Sequence, residues 1–490
     1  MEVFSSLVDA VNNILWSYVL IIVLVGCGIW FTLSTKFVQL RMLPEMLRVL
    51  TEGIGSKGSG KEAISSFQAF CVSTASRVGV GNIAGVAIAI VTGGPGAVFW
   101  MWAIAFLGCA TGFVESTLAQ IYKLPRGEGK FHGGPAYYIQ NALHQPGVAK
   151  LFAVLISVTF GLIYVSVQAN TIALSAQTAF AIPPMATAIF LCVCTALVIF
   201  GGMKRIARFT EVLVPVMAGL YLLVALIVVI MHIDQVPAMF ALIFHDAFSP
   251  QAAVGGGIGT AILTGIKRGL FSNEAGEGSV PNAAATADVS HPVKQGLVQS
   301  FGVYVDTWIV CSATAFIVLL TGQYEIGGKL TGIALAQASL ASIFGQLAPA
   351  AVSFMILLFA FSSIVGNYYY GEINIAFFEH DEAMNRKVLN IFRSGVVLMV
   401  LFGCLAELTF VWNLADLFMG FLCLTNLYAV ARLAKYAKLA LNDYVAARKA
   451  GVEPKFDPNL MENTDGVYAW GDIVPKEDNY EVNGDECVSQ

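Results

Sequence analysis

The chain has 490 residues, of which 57% are hydrophobic and only 12% are charged, and its formal net charge is −5 at pH 7. Soluble domains carry about 25% charged residues, so this composition argues against a soluble multidomain enzyme and excludes a disordered chain. The slight acidity and the lack of a basic stripe argue against a nucleic-acid binder. The composition therefore predicts a protein with several membrane-spanning segments.

Apolar stretches long enough to cross roughly 30 Å of hydrocarbon as helices recur along the chain. We predict eleven spans, at 14–33, 66–92, 96–122, 151–179, 184–201, 211–232, 253–286, 296–321, 347–371, 387–405 and 408–430. Their lengths favour helices over the alternating strands of a barrel. The first stretch is kept as a span because Glu2 and Asp9 precede it, where a signal peptide would carry basic residues.

Basic residues concentrate on alternate loops, which predicts the orientation of the chain. One set of loops, together with the C-terminal tail, carries Lys36, Arg41, Arg48, Lys57, Lys61, Lys123, Arg126, Lys130, Lys204, Arg205, Arg208, Lys294, Arg386, Lys387, Arg432, Lys435 and Lys438. The intervening loops carry only Lys329. By the positive-inside rule the basic set is cytoplasmic, so we expect the N-terminus outside and the C-terminus in the cytoplasm.

Two of the predicted spans are rich in glycine, serine and asparagine. The segments rich in these residues are 73–85 in the second span, and 255–259 and 267–279 in the seventh. Each interior glycine weakens a helix by about 0.5–1 kcal/mol relative to alanine. An unwound helix frees N–H groups that attract a carboxylate and C=O groups that coordinate Na⁺, so paired breaks in two halves of a chain indicate a secondary transporter. The alternative is that these glycines only let helices pack closely.

Other ligand motifs are not supported. The spacing of Gly79, Gly81 and Gly85 does not fit a dinucleotide-binding loop, and the sequence has no Walker A motif. The nine cysteines lack zinc-binding spacing, and no HExxH occurs. We therefore expect no cofactor, no metal other than sodium, and no ATP-driven transport.

Several separated blocks carry a resemblance to a known family. They are 78–87, 93–97, 133–135, 269–276, His291-Pro292, Gln295-Gly296, Asp306-Thr307, 359–363 and 370–372. In this order they resemble the alanine or glycine:cation symporter family, bacterial and archaeal sodium-coupled carriers of small neutral amino acids. The resemblance covers nearly all of 14–440.

The resemblance implies an all-α polytopic membrane protein with the leucine-transporter type of fold. That fold has two inverted five-helix repeats with two discontinuous helices, and the family adds one N-terminal helix. We accordingly divide the chain into an N-terminal helix with its cytoplasmic linker (1–65), a first repeat (66–232), a second repeat (250–432) and a cytoplasmic acidic tail (433–490). From about 455 this tail is expected to be a solvated extension. The expected location is the bacterial plasma (inner) membrane.

The resemblance also implies a substrate site at the midplane between the two breaks. Backbone N–H groups at Gly79, Gly81 and Asn82 would receive the amino-acid carboxylate. Gln168 would contact the ammonium end of the substrate through its amide oxygen. Ser272 and Asn273 would complete the site from the second broken helix.

A sodium site is implied beside it. Its ligands would be the hydroxyls of Ser362 and Ser363, with the carbonyls of Phe359, Ala75 and Val78. Adjacent hydroxyls in an apolar helix suit Na⁺, a hard cation that prefers oxygen. The alternative is that both serines only bond back to the preceding turn.

Two residues depart from the pattern common in the family. Asn367 stands where many members have a tryptophan, which permits a larger or more polar substrate than alanine or glycine. Arg77 replaces a small residue or threonine, and an arginine at membrane depth needs a partner. We expect Glu274 or Glu115 in that role, with Arg77 acting either as a carboxylate clamp or gate, or as half of a structural ion pair.

Two further groups are predicted to be structural. Lys267 and Arg268 are expected to extend toward the cytoplasm. Phe99, Trp100 and Trp102 are expected to anchor at the interface and pack between helices.

The sequence thus predicts a symporter that takes up a small neutral amino acid, such as alanine or glycine, with Na⁺ by alternating access. Its partners would be the amino acid, Na⁺ and the bilayer, with no nucleic acid. The alternatives are a proton-coupled carrier, a broader carrier that includes glutamine, asparagine or serine, and a passive facilitator. An intramembrane enzyme is not favoured, since no nucleophile–base pair or metal-ligand set occurs in the spans.

Overall fold

The computed structural model describes residues 2–54, 63–126, 129–200, 203–249, 259–378 and 382–470. The helices of the first half are Glu2–Ile14, Leu15–Leu20, Ile21–Ser34, Val38–Arg41, Leu43–Gly53, Ser66–Arg77, Gly81–Gly85, Val86–Gly93, Gly96–Ile121, Pro135–Asn141, Pro146–Val158, Thr159–Tyr164, Val165–Phe180, Pro184–Ile199, Met203–Met231 and Val236–Ala247. Those of the second half are Thr260–Asn273, Val280–Thr286, Pro292–Val303, Tyr304–Cys311, Ser312–Thr321, Gly332–Phe344, Gly345–Leu347, Ala348–Ala376, Glu382–Leu405, Leu408–Lys449 and Pro458–Leu460. A short antiparallel ribbon pairs Leu124–Pro125 with Phe131–His132. The predicted all-α class is confirmed.

Eight helices in the described part of the chain are long and apolar enough to cross a membrane. A ninth span forms where Ser66–Arg77 and Gly81–Gly93 follow one another with a bend of 49°. Pro184–Ile199 and Val236–Ala247 are shorter apolar helices. The total of eleven spans stays a prediction.

The seventh predicted span, 253–286, is also interrupted. Its glycines at 255–257 lie outside the described residues. The remainder forms Thr260–Asn273 and Val280–Thr286, separated by a loop in which Glu274, Gly276 and Gly278 have positive φ. Both glycine-rich segments are therefore broken helices. We call Ser66–Gly93 the first broken helix and Thr260–Thr286 the second.

Helices also occupy segments that were predicted to be loops or linkers. They are Leu43–Gly53, Val236–Ala247 and Gly332–Phe344. Each buries one apolar face against the protein, for example Met46 and Val49 in the first. A search for stretches of about 20 apolar residues passes over helices of this length.

The two halves meet along the helix Gly96–Ile121, which packs against Thr260–Asn273 and Pro292–Val303. Glycine makes the first of these contacts possible, since a Cβ at Gly265 would lie 2.5 Å from the carbonyl oxygen of Ala97. At their ends the broken helices are tied by a parallel bridge between Ile64 and Ala287. This packing holds the two breaks side by side.

The chain from about 455 was predicted to be a solvated extension, and for 455–470 this is wrong. Phe456 donates its N–H to the Ser290 carbonyl at 3.1 Å, and the Trp470 indole donates to the Gln120 carbonyl at 2.9 Å. Phe456, Val467 and Trp470 are buried. These apolar residues, spaced among acidic ones, provide a packing face, while the acidic residues at 471–490 lie outside the described part.

Candidate functional site

The first broken helix ends its first half at Arg77 and resumes at Gly81. It begins with a capping box in which Ser65 accepts from the Gln68 N–H and the Gln68 side chain accepts from the Ser65 N–H. The second half opens with a π-helical turn, Gly81–Gly85. Such turns often accompany functional sites, because their wider backbone leaves carbonyls without the usual partner.

The hydroxyls of Ser362 and Ser363 lie against this break. The Ser363 hydroxyl is 3.0 Å from the Ala75 carbonyl and 3.1 Å from the Phe359 carbonyl. The Ser362 hydroxyl is 2.8 Å from the Phe359 carbonyl and 3.5 Å from that of Ala75. Bonds to Phe359 follow from ordinary back-bonding within a helix. The approach of Ala75 from another helix does not, and it brings together four of the five predicted sodium-ligand oxygens.

Gly79 sits directly beside Ser363. A Cβ on Gly79 would be 2.2 Å from the Ser363 hydroxyl oxygen and 3.1 Å from the Gln168 amide oxygen. Glycine is therefore what lets the broken backbone reach both the hydroxyl pair and the helix that carries Gln168.

The N–H groups at the break are occupied by side-chain amides. Gly79 donates to the Asn82 amide oxygen at 2.8 Å, and Val80 donates to the Gln168 amide oxygen at 3.1 Å. Gln168 thus lies at the break, as predicted, with its oxygen on a backbone N–H group.

Asp306 joins the two broken helices, a role that the sequence did not indicate. It accepts from the Asn82 amide at 2.6 Å and from the Ser272 hydroxyl at 2.7 Å. Asp306 and both partners are fully buried. The Asn273 amide donates to the Thr307 hydroxyl at 3.2 Å. Asn82, Ser272 and Asn273 therefore belong to one polar network around 306–307.

A second polar cluster lies one turn from Ser362 and Ser363. The Ser76 hydroxyl is 2.6 Å from both a Glu274 carboxylate oxygen and the Asn367 amide oxygen. Ser279 donates to the other Glu274 oxygen, also at 2.6 Å. The Asn367 amide nitrogen is buried and has no hydrogen-bond partner in the described part of the chain. The cluster therefore contains one N–H donor, on Asn367, without an acceptor among the described residues.

The predicted partners of Arg77 are wrong. Its guanidinium donates to the Gln299 carbonyl at 3.0 Å and lies against Gly302, on the helix Pro292–Val303. No ion pair with Glu274 or Glu115 occurs among the described residues. Glu115 accepts instead from the Gly276 N–H and the Asn426 amide. Arg77 thus faces a neighbouring helix rather than the Gly79 break.

The prediction that Lys267 and Arg268 extend toward the cytoplasm is also wrong, because both side chains lie against Asp416 within the protein. Arg268 is 5% exposed and ion-paired with Asp416, which is also 3.7 Å from the Lys267 ammonium. The guanidinium carbon lies 4.6 Å from the centroid of the Trp412 ring. Burial explains the difference, since a charge held in protein needs a counter-charge.

Trp412 continues this contact toward the breaks. Its ring centroid is 4.6 Å from that of Phe271, and a Phe271 ring carbon is 3.0 Å from where a Cβ of Gly81 would lie. We call Arg268, Asp416, Trp412 and Phe271 the covering stack. It lies against the first break at Gly81, near the start of the helix Leu408–Lys449.

The aromatic group in the third predicted span serves packing, in line with its prediction. Phe99 contacts the rings of Phe244 and Phe248, and the Trp100 indole donates to the Ala247 carbonyl at 3.2 Å. Trp102 stacks near Trp308.

Comparisons with known proteins identify the family of the chain. The model of the sodium:alanine symporter family matches residues 1–458. The chain belongs to this family. It is 49% identical to the probable sodium/glutamine symporter GlnT of Bacillus subtilis, with 96% of each chain covered. It is 48% identical to the amino-acid carrier protein AlsT of the same organism, covering 96% of this chain and 98% of that one.

Family membership makes the protein a multi-span membrane transporter of the amino-acid symporter class. A solved structure, MhsT in complex with L-phenylalanine, shares the fold with a TM-score of 0.54 at 14% identity. It covers 83% of this chain and 95% of that one. The resemblance inferred from the separated sequence blocks is thus confirmed, as is the fold class.

Proposed function

We propose that this protein takes up a small neutral amino acid together with Na⁺ by alternating access. The observation that carries the proposal is the convergence of the Ser362 and Ser363 hydroxyls on the carbonyls of Ala75 and Phe359 at the first break. These four oxygens belong to two helices and include no charged group, which suits a monovalent hard cation. The Val78 carbonyl is proposed as the fifth ligand.

The substrate carboxylate binds at the N–H groups of Gly79, Gly81 and Asn82. The N–H group of Gly79 donates to the Asn82 amide oxygen, and that of the adjacent Val80 donates to the Gln168 amide oxygen. A carboxylate is the stronger acceptor, so it displaces the Asn82 amide from Gly79 and competes with the Gln168 amide at the neighbouring Val80 N–H group. The released Gln168 oxygen then turns to the substrate ammonium group, while Ser272 and Asn273 line the site from the second broken helix.

The binding of Na⁺ and the binding of the amino acid are coupled because their two sites are adjacent. Because the Ser363 hydroxyl lies next to Gly79, an ion held by that hydroxyl fixes the backbone that receives the carboxylate. Asp306 accepts hydrogen bonds from both Asn82 and Ser272, so a movement of Asn82 at the first break also changes the hydrogen bonding of Ser272 at the second. Each ligand therefore favours the conformation that binds the other, which is what thermodynamic coupling requires.

The substrate range is proposed to extend to amino acids with a side-chain amide, such as glutamine. Asn367 and Ser76 form a polar wall where a tryptophan would form an apolar one, and the Asn367 amide nitrogen has no partner among the described residues. A sodium/glutamine symporter is among the similar proteins. Asn367→Trp should reduce glutamine uptake more than alanine uptake. An unchanged ratio of the two would remove Asn367 from the specificity site.

The test of the main proposal is uptake into proteoliposomes containing the full chain. Labelled alanine, glycine, serine, glutamine and asparagine are supplied with an inward Na⁺ gradient or with K⁺ in its place. We expect at least one of them to accumulate only with the Na⁺ gradient. Equal uptake in Na⁺ and K⁺ would overturn sodium coupling, and no uptake of any of the five would overturn the substrate class.

Proton coupling is the second candidate, and one observation favours it. Glu277 is fully buried, accepts from the Tyr164 hydroxyl at 3.0 Å and has no partner for its other oxygen in the described part of the chain. A buried carboxyl with one oxygen that lacks a partner among the described residues is the kind of group that relays protons in membrane transporters. Uptake driven by a pH gradient without Na⁺, and lost in Glu277→Gln, would establish this candidate in place of sodium coupling.

We further propose that the protein lies in the plasma membrane with its N-terminus outside the cell and its C-terminus in the cytoplasm. We also propose that 66–232 and 250–432 are inverted repeats, flanked by 1–65 and 433–490. The alternation of basic loops supports this orientation. Labelling of a cysteine placed at Lys329 by an impermeant reagent added to intact cells should succeed. Labelling only after cell lysis would reverse the topology.

A further inference from the structure

A cavity of about 200 Å³ lies outside the proposed substrate site. Its wall includes Asp9, Asn12 and Trp16 from the N-terminal helix, Leu263 and Lys267 from the second broken helix, and Asn413 from the last long helix. Its volume is many times what a single water needs. The cavity lies beside the covering stack, because Lys267 adjoins Arg268 and both approach Asp416.

One side of the cavity carries excess positive charge. The Lys267 ammonium is 3.7 Å from an Asp416 carboxylate oxygen and 5.2 Å from the centroid of the Trp16 ring. Asp416 is already ion-paired with Arg268, so two cations share one carboxylate. One guanidinium nitrogen of Arg268 is buried without a partner among the described residues. This arrangement favours an additional anionic group beside Lys267.

The opposite side presents acceptors. The Asn12 amide nitrogen donates to the Asn413 carbonyl at 2.8 Å, which fixes the amide. Its oxygen has no partner in the described part of the chain, and Asn12 is only 6% exposed, so bulk water does not satisfy this oxygen. An unsatisfied buried acceptor is unfavourable, so a donor is expected there. Asp9, whose carboxylate accepts from the Asn413 amide at 2.7 Å, adds negative charge nearby.

We propose that this cavity is an outer binding site for a zwitterionic amino acid on its way to the central site. The ammonium group binds at Asn12 and Asp9, and the carboxylate binds at Lys267. The proposal rests on the proposed function, since it takes the same substrate. A bare cation is disfavoured by Lys267, and a bare anion by Asp9, whereas a zwitterion satisfies both sides.

The cavity also gives the N-terminal helix a role in transport. A substrate carboxylate beside Lys267 competes with Asp416 for the positive charge of Lys267 and Arg268. Weakening the Arg268–Asp416 pair loosens the covering stack, since Arg268 lies on Trp412 and Trp412 on Phe271. Binding at the outer site therefore favours opening toward the break at Gly81.

Counting bound substrate in the full chain in nanodiscs tests this proposal. With Na⁺ present and labelled glutamine at saturation, we expect about two molecules per wild-type chain. Lys267→Gln removes the carboxylate partner, and Asn13→Trp fills the cavity from an exposed wall position. Each should bind about one. Lys329→Gln, an exposed lysine in another loop, is the matched control and should bind as the wild type does.

Uptake kinetics give a second measurement. Both cavity variants should raise the KM for glutamine by about 5-fold or more and leave the Na⁺ concentration for half-maximal uptake unchanged. A wild type that transports but binds one glutamine per chain, or cavity variants with unchanged KM, would overturn the outer site and leave the proposed function standing. A wild type that shows no sodium-dependent uptake would overturn the proposed function, and the outer site with it.

Discussion

Replacing Gly79 by alanine probes the contact between the broken backbone and the hydroxyl pair. Gly79 is not among the described glycines with positive φ, so its backbone accepts alanine without strain. The difficulty is space, since the new Cβ would lie 2.2 Å from the Ser363 hydroxyl oxygen and 3.1 Å from the Gln168 amide oxygen. The short Ser363 side chain can rotate, but doing so takes its hydroxyl off the Ala75 carbonyl.

The size of the effect follows from that displacement. Overpacking a tight contact costs about 1–3 kcal/mol. If this cost falls on the sodium-bound state, the affinity for Na⁺ falls by about 5- to 150-fold. We therefore expect Gly79→Ala to raise the Na⁺ concentration for half-maximal uptake by about ten-fold or more.

The assay is amino-acid uptake into proteoliposomes over a range of external Na⁺ at saturating amino acid. Gly26→Ala, in the first membrane helix, is the control because its added Cβ would meet no atom within 4 Å. An unchanged sodium dependence in Gly79→Ala would refute the reasoning, as would an equal shift in Gly26→Ala.

Three further predictions concern stability. Asp416→Asn leaves Arg268 buried without its counter-charge, so the free energy of unfolding in detergent should fall by roughly 3–5 kcal/mol. The control is Glu453→Gln, which breaks an exposed ion pair and should lower the free energy of unfolding by less than about 1 kcal/mol. Equal effects of the two variants would contradict the role of burial. Burial lowers the pKa of His291 to about 4, below its usual 6.5, so the unfolded chain binds more protons in that interval and stability should fall as pH drops from about 6.5 toward 4. His291→Gln should flatten this dependence of the unfolding temperature, and an unchanged slope would count against it. Trp470→Ala should lose about 3–5 kcal/mol of packing and expose the C-terminal segment to limited proteolysis; a cleavage rate equal to the wild type would contradict its docking.

The sequence predicts the broken helices well because their signal is local. Glycines and polar residues inside an apolar span disfavour a continuous helix wherever the span lies in the fold. The adjacent Ser362 and Ser363 are visible for the same reason, as two hydroxyls in an apolar run.

The partners of buried charges could not be predicted in this way. A span shows how deep Arg77 lies, but the direction in which its side chain points depends on how the helices pack. Its bond to the Gln299 carbonyl, and that of Arg268 to Asp416, join residues far apart in the chain. Asp306 belongs to one of the sequence blocks that carry the family resemblance, but its link between the two breaks depends on the same packing.

The C-terminal segment was misjudged for a different reason. Its acidic composition suggested a solvated chain, yet Phe456, Val467 and Trp470 are all buried against the rest of the protein. Composition averages over such residues and hides them.

The most direct test of the central claim is whether Na⁺ and the amino acid enter together through the Ser362–Ser363 site. Radioactive sodium and labelled amino acid are followed at the same time in proteoliposomes of the wild type and of a Ser362→Ala, Ser363→Ala variant reconstituted to equal levels. We expect amino-acid-dependent sodium entry at a fixed ratio in the wild type, and loss of that sodium entry in the variant. Amino-acid entry without sodium entry in the wild type, or an unchanged ratio in the variant, would contradict the claim.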